Sequence, residues 1–305
     1  MAHPQIAAFA RLAEGGDMPV RRIEGQKTLL GRTMHAIHYN AVRDEIVVPQ
    51  QFAQAILTFR GAATGEEPPI RVIQGNRTQL RGSSGVVLDT VNNEIITEGR
   101  VFPLDANGNV APIRTLPFNV LAVDPINDLY ISTRRGDDGG QQLLIFDRQA
   151  DTAEPLRVIG GPSTMLTQTR RIRVMNGWIV VAHDGLQSQT PSGLSYVGIW
   201  SVHDDGDVPP RWTIGGPHKM LRKPRGVDLD PKNQTVIVSD KDLNAVLTYH
   251  VPELFREAPG ARKRNLEDNT ILTARRDSAP GHFQAFWRHM GNWLVGGSPT
   301  WGHDD

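Results

Sequence analysis

The sequence predicts an all-β fold: a six-bladed β-propeller of four-stranded antiparallel blades. Three observations predict it. A motif of proline, a gap, a long cation or Trp and an aliphatic residue recurs, as "PVRRI" from Pro19, "PIRVI" from Pro69, "PIRTL" from Pro112, "PLRVI" from Pro155 and "PRWTI" from Pro210. Each copy closes a short apolar run and a polar loop, as in "AILTFRGAATGEEPPIRVI" and "LLIFDRQADTAEPLRVI". Between copies lie two more apolar runs around a tight turn, as in "GVVLDTVNNEIIT" and "GVDLDPKNQTVIVS". A unit repeated at intervals of about fifty residues points to a propeller or solenoid, and two successive hairpins per unit make a four-stranded blade.

With strands named a to d from the inside outward, the a–b hairpins begin near Ala36, Gly85, Val120, Arg171, Gly226 and Phe286. Their Asp-Pro, Asn-rich or Gly-rich centres are turn formers between β-branched and aliphatic flanks. The c–d hairpins begin near Ile6, Ile56, Val101, Leu144, Val197 and Val246. The blades expected are therefore 36–75, 85–117, 120–161, 171–216, 226–266, and a shared blade from 283–298 plus 4–25, in a single domain over residues 1–305. The chain opens with c–d and closes with a–b, so N-terminal and C-terminal strands are expected to pair. Such closure removes unpaired sheet edges. The Pro-x-Arg motif falls on strand d, where proline is tolerated as the first residue of an edge strand and a long Arg covers apolar surface while keeping its head wet.

The stretches "GNVAPIRTL", "GVVLDTVNNEI" and "GVDLDPKNQ" resemble the NHL-repeat class of six-bladed propellers, and the resemblance covers nearly the whole chain. A more distant likeness runs to streptogramin lyase and gluconolactonase-type propellers. The resemblance implies the fold but leaves function open, because the class holds RNA-binding and protein-binding modules, a copper- or zinc-dependent amidating lyase and streptogramin lyase, and related folds hold calcium-dependent lactonases.

Composition narrows the classes. Lys plus Arg and Asp plus Glu both number 33, so the chain as a whole is no polycation. The absence of cysteine excludes disulfides, thiolate nucleophiles and Cys-ligated zinc. No run approaches membrane-spanning length, and "MAHPQIAAFARLAEGGD" has no basic n-region followed by an apolar core. A soluble protein with no membrane partner is expected, cytoplasmic as written, or periplasmic or secreted if a leader has been removed. There is no G-x-S-x-G elbow, H-E-x-x-H or Walker loop.

Charge placement is more informative. The c–d loops carry acids, among them Glu66, Glu67, Asp205 and Asp207, while the d-to-a linkers carry bases, among them Arg77, Arg81, Arg170, Arg171, Lys223 and Arg225. The two loop classes are expected on opposite faces, giving a basic mouth that steers anions. The candidate ligand-binding residues are His35, Asn119, Arg134, Arg171, His183, Arg225 and Asp240, taken from the linkers before strand a and the ends of strand b. There the residues stop repeating.

The expected function is a non-catalytic scaffold that presents this basic channel mouth to an anionic or polar ligand, whether protein, peptide, polysaccharide or small molecule. No metal or other cofactor is expected in that reading. One alternative is a metal-dependent lyase or lactone hydrolase with a divalent ion in the central channel, held by His35 and His183. Glu98, Asn119 and Asp240 are a looser match to a calcium set. Another alternative is RNA binding, to which the basic insertion "ARKRNLEDNTILTARRD" would contribute backbone contacts.

Overall fold

The computed structural model describes residues 4–32, 34–82, 84–185, 195–215, 221–256 and 258, and the backbone of 293–295. The insertion 261–277 and, apart from the backbone of 293–295, the expected hairpin near Phe286 lie outside the described residues. The chain is an all-β propeller of antiparallel blades. Five blades are built from consecutive strands. Blade I is β3 (His38–Asn40), β4 (Glu45–Gln50), β5 (Ala55–Arg60) and β6 (Arg71–Gln74). Blade II is β7 (Val87–Asp89), β8 (Glu94–Thr97), β9 (Arg100–Pro103) and β10 (Arg114–Thr115). Blade III is β11 (Ala122–Asp124), β12 (Leu129–Arg135), β13 (Gln141–Asp147) and β14 (Arg157–Ile159). Blade IV is β15 (Thr169–Met175), β16 (Trp178–His183), β17 (Tyr196–Ser201) and β18 (Trp212–Gly215). Blade V has three strands, β19 (Pro224–Asp230), β20 (Thr235–Asp240) and β21 (Ala245–His250).

Six four-stranded blades were the expectation. The remaining sheet instead has three described strands, with β1 (Gln5–Ala8) between β2 (Arg21–Glu24) and β22 (Trp293–Val295). Among the described residues there are thus five blades rather than six, and four of the five have four strands. The chain divides into two compact units, one of residues 1–115 with 269–305 and one of residues 116–268.

Local chemistry explains the a–b hairpins. Asp89, Asp124 and Asp230 end their strands, and each Oδ1 accepts the backbone N–H groups two and three residues on. Each Oδ2 accepts a bond from Asn92, Asn127 or Asn233 Nδ2. The next residue, Asn93, Asp128 or Gln234, takes positive φ and closes the turn. Alternation then buries one row of side chains against the neighbouring blade. Ile131, Ile145, Ile179 and Trp200 pack between blades III and IV, and Val180, Ile199, Val227 and Val238 between blades IV and V. In the first unit, Val47, Ile56, Ile95 and Phe102 pack between blades I and II.

The Arg of the recurring Pro-x-Arg opens strand d in blades I, II and III, and in blades I and II it is paired with an acid. Arg71 Nη2 stands 2.6 Å from Glu45 Oε2, and Arg114 Nη2 stands 2.8 Å from Glu94 Oε2, each acid opening the second strand of its blade. Blade IV replaces the ion pair with two indoles, Trp212 against Trp178 at 4.8 Å between ring centroids.

The linker after strand d repeats more than expected. It reads Gly25-x-x-Thr28, Gly75-x-x-Thr78 and Gly161-x-x-Thr164, a short 3-10 turn in which each Thr Oγ1 donates to the glycine carbonyl. The three glycines have φ of 105, 125 and 128°, and a Cβ there would strike Glu66, Asn109 or Asp207 of the next c–d loop. Those loops lie along the preceding strand d through Ile23–Gly65, Ile73–Gly108 and Ile159–Gly206 bridges. Their side chains accept linker N–H groups: Glu66 from Gln26, Asn109 from Arg77 and Asp207 from Ser163. The expected segregation of acidic loops from basic linkers therefore fails at these three joints, because the loop reaches along the neighbouring edge strand to the linker itself.

Candidate functional site

Blades IV and V depart from the repeat in one way. Their first strands, β15 and β19, have seven residues each, against three in β3, β7 and β11. The added length carries a β-bulge in the same place in both. Thr169 pairs with His183 and Arg171 with Ala182, leaving Arg170 as the extra residue; Pro224 pairs with Asp240 and Gly226 with Ser239, leaving Arg225. A bulge interrupts the ladder and re-aims the extra side chain, and such features gather beside functional sites.

Both extra residues are arginine, and both point to one carboxylate. Asp184, just past the end of β16, has a side chain 3% exposed. Its Oδ1 lies 2.8 Å from Arg170 Nε and its Oδ2 3.3 Å from Arg225 Nε. These contacts are held by charge: none of the four buried atoms has a hydrogen bond of good geometry. The Nε atoms of the two arginines are buried, while their side chains as wholes are 27% and 36% exposed. A second cluster adjoins on the same pair of strands. Arg173 Nε stands 3.0 Å from Asp228 Oδ1. Burial pushes the neighbouring Arg171 guanidinium below its ordinary value, down to about 10; Arg173 adds to the shift, and Asp228 opposes it. Each cluster holds two arginines and one aspartate, so each carries one net positive charge.

His183 and Asp240 sit at the ends of β16 and β20, beside the bulges, but the Nε2 of His183 and both carboxylate oxygens of Asp240 are turned to the backbone. His183 Nε2 accepts N–H bonds from Thr167 at 2.9 Å and Gln168 at 3.2 Å, and the ring packs on Tyr196 at 4.6 Å. Accepting there places the ring proton on Nδ1. Asp240 Oδ2 accepts from the N–H groups of Arg222 and Lys223, and its Oδ1 from those of Asp242 and Leu243. Gln50 and Glu98 do the same work in the first unit. Gln50 Nε2 donates to the Leu29 carbonyl, and Glu98 Oε2 accepts from the Arg81 N–H. The end of strand b is thus a latch on the linker that leads into strand a.

Of the other candidates, Arg134 is exposed and donates from Nε to Gln142 Oε1 at 2.8 Å, and Asn119 is exposed before β11. His35 is exposed and belongs to the first unit, whereas His183 belongs to the second. Among the described residues no three His, Asp or Glu side chains converge to hold a metal ion, and no helix is long and apolar enough to cross a membrane. The structure thus brings Arg171, His183, Arg225 and Asp240 to neighbouring strand ends of the second unit. Asp184 and the bulged role of Arg170 are additions that the sequence pattern did not supply.

No family model matches the chain, and no curated protein does. Solved structures do resemble it. The WD40 propeller domain of Doa1 is 14% identical over 80% of this chain and 88% of its own, with a TM-score of 0.46. A functionally unknown protein from Desulfotomaculum acetoxidans is 14% identical over 83% and 77%, at 0.48. A putative 6-phosphogluconolactonase from Bacteroides fragilis is 10% identical over 81% and 90%, at 0.43.

Proposed function

We propose that this chain is a non-catalytic binding module whose ligand is an anion, received at the paired bulges of blades IV and V. The observation that carries the reading is the coincidence of two extra residues, both arginine, at matching positions of neighbouring strands. Either bulge alone is an ordinary feature of a strand end. Two of them aimed at one buried carboxylate cost regular ladder pairing twice, which the fold does not require, since β3, β7 and β11 do without the extension. Arg171 and Arg173 raise the local positive potential further. His183 and Asp240 hold the linkers that deliver Arg170 and Arg225, so they support the site from behind.

The same proposal includes a six-bladed, NHL-type domain over the whole chain, with β1, β2 and β22 contributing to the sixth blade. Pairing of Ile6 with Val295 and Ala7 with Leu294 supports it. A screen of anionic small molecules, acidic peptides and acidic polysaccharides tests the binding role. The double variant Arg170→Ala, Arg225→Ala is expected to weaken any hit by tenfold or more, about 1.4 kcal/mol. Wild-type affinity in that variant for every hit would sink the assignment.

A further inference from the structure

We propose that the oxyanion taken by the Arg170–Asp184–Arg225 bridge is the dianion of a phosphomonoester. The proposal rests on the anion-binding reading above and specifies its ligand. Asp184 meets each arginine at its buried Nε, while both side chains as wholes stay partly exposed. A guanidinium edge presents two parallel N–H groups that match a pair of phosphate oxygens. Because one carboxylate touches both arginines, the two forks stand close enough to share a single small anion.

Charge selects among small anions. A carboxylate ligand carries one negative charge, but the two clusters together carry two net positive charges over the same pair of strands. A phosphomonoester carries close to two negative charges above its second pKa of about 6. The buried Asp184 sharpens the choice: it already supplies the arginines with one carboxylate, so a second monoanion adds little that the site lacks. Its fixed position also holds the two side chains in place before a ligand arrives, which lowers the ordering cost of binding.

The test is titration calorimetry on the full chain at constant ionic strength, with phenyl phosphate and benzoate as probes. At pH 7.5 phenyl phosphate is expected to bind at least tenfold more tightly than benzoate. Its affinity is expected to fall severalfold at pH 5.5, where the ligand loses its second charge. Arg225→Lys keeps the charge and loses the fork, and is expected to weaken phenyl phosphate tenfold; its circular dichroism spectrum checks that it folds. Benzoate binding as well as phenyl phosphate, or Arg225→Lys binding as well as wild type, overturns the dianion assignment and leaves the anion-binding reading standing. Failure of both probes to bind, while another anion class binds in an arginine-dependent way, also overturns only this assignment. Loss of arginine dependence for every anion overturns both. A phosphoserine peptide run beside phenyl phosphate distinguishes the source: tighter binding of the peptide assigns the phosphomonoester to a protein ligand, and equal binding assigns it to a small molecule.

Discussion

At the scale of single residues, the site stores unfavourable charge. Arg171 is held charged in a partly buried place beside Arg173, and the depressed pKa records the cost. Its sign is that of a buried base: the native state binds its proton less readily than the unfolded chain does. The cost is therefore fully present below pH 10 and is relieved only as pH rises through the folded value. Arg171→Met keeps the apolar stem and deletes the charge. It is expected to stabilise the fold at pH 7.5 by on the order of 1 kcal/mol, a gain of a few degrees in melting temperature, while weakening anion binding. Thermal denaturation with and without ligand checks both, and a lower melting temperature for Arg171→Met would count against stored charge. Arg171 and Arg225 were legible in the sequence because they break a repeat. Asp184 was not, because nothing local distinguishes a carboxylate one residue past a strand from a solvated loop acid; only the approach of β19 shows what it holds.

At the scale of elements, what repeats and what varies have separate jobs. The a–b turns were readable because Asp-x-x-Asn chemistry is complete within four residues. The Gly-x-x-Thr linker turn is equally visible as "GQKT", "GNRT" and "GPST", yet its reason lies in a loop some 40 residues further on. His183 and Asp240 looked like ligand contacts because the strand-b ends vary, with Gln50 and Glu98 at the same place in the first unit. Their structural work is the same throughout, since each satisfies linker backbone with whatever acceptor or donor fits. Asp240→Asn keeps one accepting oxygen and loses two of four N–H bonds; Asp240→Ala loses all four. We expect costs of roughly 1–2 and 3 kcal/mol respectively, in that order. Urea denaturation measures them, and equal stability of the two variants would show that the latch contributes nothing.

At the scale of the whole molecule, the blade pattern was legible and its count depends on the two ends. The described residues give five blades from consecutive strands and a sixth sheet that joins residues from both termini. The absence of cysteine makes that pairing directly testable. The double variant Ala7→Cys, Leu294→Cys places thiols at paired positions of β1 and β22, within the reach of a disulfide. Mild oxidation is expected to cross-link most of the protein within the monomer, seen as a mobility shift that reductant reverses. Either single variant should show none, and an uncross-linked double variant would remove the proposed closure.

Each bulge is one residue, and that has a hereditary consequence. An in-frame loss of the codon for Arg170 or Arg225 removes a cation and, in the same event, allows β15 or β19 to resume an unbroken ladder. Gain of such a codon does the reverse. A lineage can therefore acquire or abandon this site in single steps without redrawing a blade. Relatives that share the fold are best sorted by the length of these two strands, ahead of their overall identity.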